Sequence, residues 1–232
     1  MLRETGLEGQ VQVGVPLPVD EAKTPRSPRV KSPPGAEEDS LDAFLRPSQR
    51  EARGRLIEIE GRLSSGRTAL AYRMVAGATT RGELVGWVDL PNALDPRSLR
   101  RAGVDLRGLL WVRPTQTQAA LRAAELLLRT GFAVVVVDLQ GAARRALERL
   151  GPAVWSRLLR AVREARAITV LLGTHRSSSS FAALGLYTER SRALFDGGLF
   201  EGFETSATIG RNRTGPTGTA YPLRISHRPA PE

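Results

Sequence analysis

The order of apolar and polar positions predicts strands that alternate with helices. Five short stretches have the apolar or alternating pattern of strands: 55–60, 84–88, 109–112, 132–137 and 168–172. Helical spacing lies between or beside them, at 68–80, 96–102, 116–129 and 142–166. Strands that alternate with helices build a mostly parallel sheet with helices on both sides, so the predicted fold class is α/β.

The two ends of the chain differ from this pattern. Residues 1–39 contain six prolines among Ser, Glu and Lys, which predicts a disordered tail, and Asp39-Ser40 is expected to cap a short helix over 41–45. Strand-like stretches at 204–211 and 221–225 predict antiparallel strands at the C-terminal end of the core. The predicted organisation is therefore a tail (1–39), a core (40–226) and a flexible end (227–232).

Charge and composition narrow the classes of function. The chain contains no cysteine and two histidines, which excludes disulfides and Cys-ligated metal. No stretch has the length of a membrane span or the pattern of a signal peptide, so we expect a cytoplasmic protein without membrane contact. Residues 1–46 hold six basic and eight acidic residues, a net charge of −2. Because the whole chain has a net charge of +10, residues 47–232 carry a net charge of +12. Such a basic core favours a polyanionic partner such as nucleic acid. The alternative is that the net charge only keeps the protein soluble.

One motif carries recognisable chemistry. The frame GxxxxG[K/R][ST] occupies 61–68, between a predicted strand and a predicted helix. In such a phosphate loop, backbone N–H groups surround the phosphates, a lysine reaches the outer ones and Thr binds Mg²⁺. The expected phosphate-binding residues are Gly61, Ser64, Ser65, Gly66, Arg67 and Thr68, with Arg67 in the place of the lysine.

Several segments, in order, resemble the core of the RecA family. They are 41–45, 54–61, 64–68, 93–96, 102–105, 109–110, 134–138 and 209–213. The resemblance implies a RecA-like P-loop core over 40–226. It implies that Asp138 ends the Walker B strand, and that ATP is bound with Mg²⁺ held by Thr68 and Asp138, provided that nucleotide still binds. Arg211 and Arg213 alternate along a predicted strand, so both are expected to point to one face. The resemblance implies that they contact a nucleotide or an acidic surface across a subunit interface; charges that protect an edge strand are the alternative.

The departures from RecA concern ATP turnover. Pro91 stands where the family carries its catalytic glutamate, and proline cannot accept a proton. Ser98 replaces the aromatic residue that stacks on adenine, and Thr174 replaces the nucleotide-sensing glutamine. The segments that hold the two DNA-binding loops of RecA are shortened. Together with Arg67 these changes predict the loss of ATP hydrolysis and leave open whether nucleotide binds.

This combination of losses resembles the ImuA family of SOS mutagenesis. The resemblance implies an accessory role in error-prone translesion DNA synthesis, with DNA polymerase-related proteins as partners and with single-stranded DNA or RecA as further ones. Two alternatives stay open. One is an active DNA-dependent ATPase in which Arg67 serves as the lysine, and the other is a cell-division inhibitor similar to SulA.

Arginines recur along the helical region 142–166. Three of them, Arg157, Arg160 and Arg163, are the expected contacts to nucleic-acid phosphate or to a partner. The alternative is a solvated helix face on which Glu148 and Glu164 pair with neighbouring arginines.

Overall fold

The structure is a computed structural model that describes residues 53–178 and 180–226. Its strands are β1 (Arg55–Gly61), β2 (Val85–Asp89), β3 (Leu109–Val112), β4 (Val134–Asp138), β5 (Ile168–Gly173), β6 (Leu184–Asp196), β7 (Leu199–Asn212) and β8 (Ala220–Ser226). Its helices are α1 (Arg67–Thr80), α2 (Pro96–Arg101), α3 (Thr117–Arg129), α4 (Arg144–Glu148) and α5 (Pro152–Glu164), with a 3₁₀ turn at Leu106–Gly108.

The eight described strands form one sheet in the order β3-β2-β4-β5-β1-β6-β7-β8. The pairs from β3 to β6 are parallel, whereas β7 and β8 are added antiparallel. The predicted α/β class with a mostly parallel sheet is therefore confirmed. The helical region predicted over 142–166 is two helices, α4 and α5, separated by residues 149–151, and Pro152 occupies the first position of α5.

Helices cover the sheet on both sides and create two apolar cores. Residues of α1 and α2 such as Leu70 and Leu99 belong to one core, and residues of α3 and α5 such as Leu121 and Leu158 belong to the other. Successive valines of β4 alternate between the two cores, because neighbouring side chains of a strand point to opposite faces. This explains why the 132–137 stretch is apolar without interruption.

The β6–β7 hairpin is longer than the sequence indicated. No strand was predicted over 184–196, and β7 begins at Leu199 instead of near residue 204. The outer half of β6 is mostly exposed, so it lacks the apolar alternation by which strands are recognised. Gly197 and Gly198 form the two-residue turn with φ of 54° and 83°, as a type I′ hairpin turn requires.

Some predictions concern other parts of the chain. The tail 1–39, the helix 41–45 and the flexible end 227–232 lie outside the described residues. None of the helices within the described ranges has the length and apolar character needed to cross a bilayer.

A buried carboxylate fixes the segment that follows β5. Glu58 on β1 is only 4% exposed, and it accepts hydrogen bonds from the backbone N–H and the hydroxyl of both Ser177 and Ser178. Buried polar groups are expensive unless they are paired, and here each partner satisfies the other. This contact therefore holds the segment after β5 against the first strand of the sheet.

Replacing Glu58 by leucine is expected to destabilise the fold by about 2–4 kcal/mol, because the N–H groups of the half-buried Ser177 and the buried Ser178 lose their acceptor. Urea denaturation followed by circular dichroism measures the change. Glu58→Gln is the matched control, since it keeps one acceptor oxygen and should lose less than half as much. Equal losses in both variants would show that the negative charge, and not the acceptor, matters.

Candidate functional site: the phosphate loop and the arginines of α5

The carboxyl ends of the parallel strands bring the predicted loop beside two acids. β1 ends at Gly61, and the following turn leads into α1. Asp138 ends β4 and stands in register with Asp89, which ends β2. The conformation of the loop depends on Gly66, whose φ is 92° and whose added Cβ would lie 2.7 Å from Ile225 Cδ1. A side chain at that position is excluded both by conformation and by space.

Arg67 lies inside its own loop. Its side chain is buried, and its Nη1 donates hydrogen bonds to the Gly61 carbonyl and, at 3.3 Å, to the Arg62 carbonyl. Its Nη2 donates to the side-chain oxygen of Gln140, which lies just beyond β4. In a phosphate loop the backbone N–H groups surround an anion, whereas here loop carbonyls are bound to a cation of the same chain. The residues in this arrangement do not fit a triphosphate.

Ser65 is also engaged by the rest of the fold. Its hydroxyl lies 2.7 Å from the Thr188 hydroxyl on β6, and its carbonyl accepts a hydrogen bond from the Thr205 hydroxyl on β7 at 2.5 Å. Ser64, in contrast, is exposed and has a φ of 59°. The loop is therefore attached to the antiparallel strands on one side and to its own arginine on the other.

Asp138 is a buried acid with an altered pKa. Burial raises the pKa of Asp138 from 3.8 to about 6, while the Gln140 backbone N–H and the Arg67 charge lower it and the Asp89 charge raises it further. The Gln140 N–H lies 2.9 Å from the carboxylate. Desolvation thus outweighs the nearby guanidinium, and the carboxyl group releases its proton only near pH 6.

Asp89 was not selected from the sequence, although it ends a strand just as Asp138 does. It is fully buried, and its carboxylate accepts hydrogen bonds from the backbone N–H groups of Ala93 and Leu94 and from Trp111 Nε1 at 3.0 Å. Its position at the carboxyl end of a predicted strand was the feature of the sequence by which it could have been selected. These bonds give Asp89 a structural role, since it closes the turn that contains Pro91.

The predicted Mg²⁺ ligands are Thr68 and Asp138, and Asp89 stands in register with Asp138. Within residues 53–178 and 180–226, no three His, Asp or Glu side chains come together in a group that could hold a metal ion. The Mg²⁺ site thus stays a prediction that depends on nucleotide binding.

The three replaced family positions lie around this edge of the sheet. Pro91 is half-buried and lines an open cleft of about 740 Å³ together with Gln116 and Gln140. Ser98 donates its hydroxyl hydrogen to Asp95 at 2.6 Å in the first turn of α2. Thr174 lines a second cleft of about 670 Å³ beside Arg62. None of the three presents a carboxylate or an aromatic ring at this edge.

The predicted arginines of α5 lie on the opposite side of the sheet from α1. We call Arg157, Arg160 and Arg163 the arginine face; all three are exposed, while Trp155 and Leu158 of the same helix are buried in the core. Arg157 donates from its Nε to both carboxylate oxygens of Glu125 on α3, at 2.9 and 2.8 Å. Arg157 thus forms an ion pair with the neighbouring helix α3, whereas the side chains of Arg160 and Arg163 are exposed to solvent.

Arg211 and Arg213 do not alternate along one strand as predicted. β7 ends at Asn212, so only Arg211 belongs to it. Arg213 lies beyond the strand, where its backbone N–H donates to the Ala183 carbonyl and its guanidinium donates to the Ser180 carbonyl. Arg213 lies just past the end of β7, where its backbone bond to Ala183 extends the β6–β7 register by one residue and its guanidinium holds the segment after β5.

The pKa of Asp138 predicts a pH-dependent stability. Native protein keeps this proton between about pH 4 and pH 6, whereas the unfolded chain releases it, so the stability it contributes is complete below pH 4 and is lost as the pH rises through 6. Asp138→Asn should match the parent near pH 4 and exceed its unfolding free energy by about 1–3 kcal/mol at pH 7. Urea titrations at both pH values test this.

The exposed Glu164→Gln is the control for that experiment and should show no such pH-dependent gain. A loss of stability in Asp138→Asn at pH 7 would contradict the prediction, since it would mean that the ionised carboxylate is favourable next to Arg67.

Comparison with known proteins agrees with this geometry. Residues 47–149 match the model of the RecA N-terminal domain. The chain is 46% identical over 87 residues to RecA of Chelativorans sp. (strain BNC1), which is 37% of this chain and 24% of that protein. RecA of Sinorhizobium fredii is 45% identical over 87 residues (37% of this chain, 24% of that protein), and RecA of Bifidobacterium breve is 40% identical over 87 residues (37% and 22%).

The chain spans about a quarter of the length of these curated relatives. The matched region contains the phosphate loop, both strand-end acids and Pro91. In sequence this chain is therefore similar to the RecA N-terminal domain over residues 47–149, and its described core has an α/β fold with helices on both sides of the sheet.

Proposed function

We propose that this protein is a RecA-like accessory factor of the DNA-damage response that does not hydrolyse ATP. The observation that carries the proposal is the position of Arg67, whose guanidinium is bound to carbonyls of its own phosphate loop. A nucleotide would have to displace a buried, hydrogen-bonded arginine before its phosphates reached the loop. Arginine is also bulkier than lysine and cannot act as a compact ammonium there.

Pro91 supports the same proposal. Hydrolysis requires a group that activates or orients water, and that place in the RecA resemblance is held by a residue without any proton acceptor on its side chain. Asp89 and Asp138 are the acids nearest in the sheet, but Asp89 is taken up by three hydrogen bonds and Asp138 is largely desolvated. Neither is placed as a substitute for the missing glutamate.

The finer part of the proposal concerns translesion synthesis. We infer that the protein acts in the cytoplasm, next to DNA polymerase-related proteins and single-stranded DNA or RecA, as the resemblance to the ImuA family implies. The support from the molecule is a basic core of +12 with an exposed arginine face, combined with a nucleotide site that has lost its chemistry. A surface that binds polyanions does not depend on ATP turnover.

The first test is ATP hydrolysis. The parent protein should turn over less than about 0.1 ATP per second, with or without single-stranded DNA, because even slow enzymes reach roughly that range. The double variant Arg67→Lys/Pro91→Glu should be more active than either single variant, since the loop and the base act together. Phosphate release measured by a coupled assay gives these rates.

Asp138→Ala serves as the control for contaminating ATPases, because it removes the Walker B acid. Turnover of the parent above about 0.1 per second that disappears in Asp138→Ala would overturn the proposal and return the protein to the working RecA-type ATPases.

The second test is DNA binding by the arginine face. Replacing Arg160 and Arg163 by glutamine should weaken binding to a labelled oligonucleotide and reduce the log–log salt slope by about 1.4, because each phosphate contact on single strands contributes about 0.7. Fluorescence anisotropy across a salt series measures both quantities. The matched control is Arg97→Gln/Arg100→Gln, which removes two exposed arginines from α2 on the other side of the sheet.

Equal losses in both double variants would show that only total charge matters and would remove the arginine face from the proposal. Regular filaments on single-stranded DNA, seen by electron microscopy, would contradict the accessory role. If the protein does not bind DNA even at low salt, its basic surface would instead be assigned to an acidic protein partner.

A further inference from the structure

The described core begins beside α5. The Gly54 backbone N–H donates to the Ala167 carbonyl at 2.9 Å, and a Cβ on Gly54 would lie 3.8 Å from Arg163 Cα. The first described residues therefore lie next to the C-terminal end of the arginine face.

The preceding sequence carries the opposite charge. Residues 32–45 contain Glu37, Glu38, Asp39 and Asp42 and no lysine or arginine, which gives this stretch a net charge of −4. The rest of residues 1–46 is mixed in charge, since all six basic residues of this range lie before or after the stretch 32–45. We call residues 37–42 the acidic segment. Its charge complements the guanidinium groups of α5.

The length of the connection permits contact. Eleven residues lie between Asp42 and Gly54, so the twelve Cα–Cα steps that join them allow a span of at most about 40 Å. A helix of 13 residues such as α5 is about 20 Å long, so every arginine of the face lies within reach. A connection of this kind gives an effective concentration in the millimolar range.

The arginine face has charge available for such a contact. Within the described residues, Arg157 is paired with Glu125, whereas the guanidinium groups of Arg160 and Arg163 make no ion pair or hydrogen bond. Carboxylates and phosphates are bound by guanidinium groups through the same charge-assisted hydrogen bonds. A ligand made of closely spaced carboxylates thus resembles the charge pattern of a phosphate backbone.

We propose that the acidic segment binds the arginine face of the same chain and competes there with nucleic-acid phosphate. The intramolecular contact stands on charge, reach and the position of Gly54; only the competition rests on the proposed function. Contacts between exposed charges are individually weak and sensitive to salt, so the segment acts as a displaceable cover. We expect it to lower the affinity for oligonucleotides about three- to tenfold at low salt.

Disulfide trapping tests the contact without DNA, because the natural chain contains no cysteine. Ser40→Cys lies within the acidic segment, and Ser156→Cys lies on the exposed side of α5, one turn before Arg160. In the full-length chain this pair should form an intramolecular disulfide at least fivefold faster than the control pair Ser40→Cys/Ser191→Cys. Ser191 is equally exposed but lies on β6.

Neutralisation separates the contribution of these carboxylates. The variant Glu37→Gln/Glu38→Gln/Asp39→Asn/Asp42→Asn should slow the trapping of the Ser40–Ser156 pair and raise oligonucleotide affinity three- to tenfold. The matched control Glu4→Gln/Glu8→Gln/Asp20→Asn/Glu21→Gln changes the net charge by the same amount, but its positions lie at least 33 residues before Gly54. It should change both quantities by less than twofold.

The outcomes distinguish the two proposals. Equal trapping rates for the two cysteine pairs, or disulfides that form only between two molecules, would overturn the intramolecular contact whatever the protein does with DNA. Preferred trapping that single-stranded oligonucleotide fails to slow would uphold the contact and refute the competition. A rise in affinity of the same size in both neutralised variants would show that only net charge acts, which also refutes the competition.

Discussion

Burial of the Arg67 guanidinium determines how the carboxyl edge of the sheet is organised. The side chain joins the start of its loop to Gln140 beyond β4, and the Gln140 backbone in turn binds Asp138. A buried cation requires acceptors, and the loop supplies them from its own carbonyls. The loop, the end of β4 and the guanidinium are thus joined by hydrogen bonds, although Arg67 Nε is buried there without a partner among the described residues.

Much of this fold could be predicted from local sequence patterns. β4 lies between two helical layers, so its residues had to be apolar without alternation, and the periodicity of α3 and α5 follows from the same layering. The frame at 61–68 placed the loop correctly between β1 and α1. These features depend on residues near one another in the chain, which is the information that a single sequence carries best.

The features that escaped prediction depend on contacts across the chain. β6 is held by pairing with β1 and β7, although its outer half has the polarity of a loop. The conformation of Arg67 depends on Gln140, 73 residues later, and the role of Glu58 depends on two serines 119 and 120 residues away. Arg213 was placed on the strand because the alternation of charges continued, whereas β7 ends at Asn212 and the Arg213 guanidinium is bound to the Ser180 carbonyl.

The two apolar cores have a further consequence for how this protein tolerates change. The sheet separates the layer that contains α1 from the layer that contains α3 and α5, and each layer packs through its own set of side chains. Substitutions in separate packing units combine almost additively. Substitutions in one layer are therefore expected to leave the packing of the other layer intact, so the edge that carries the loop and the outer surface of α5 can be altered separately.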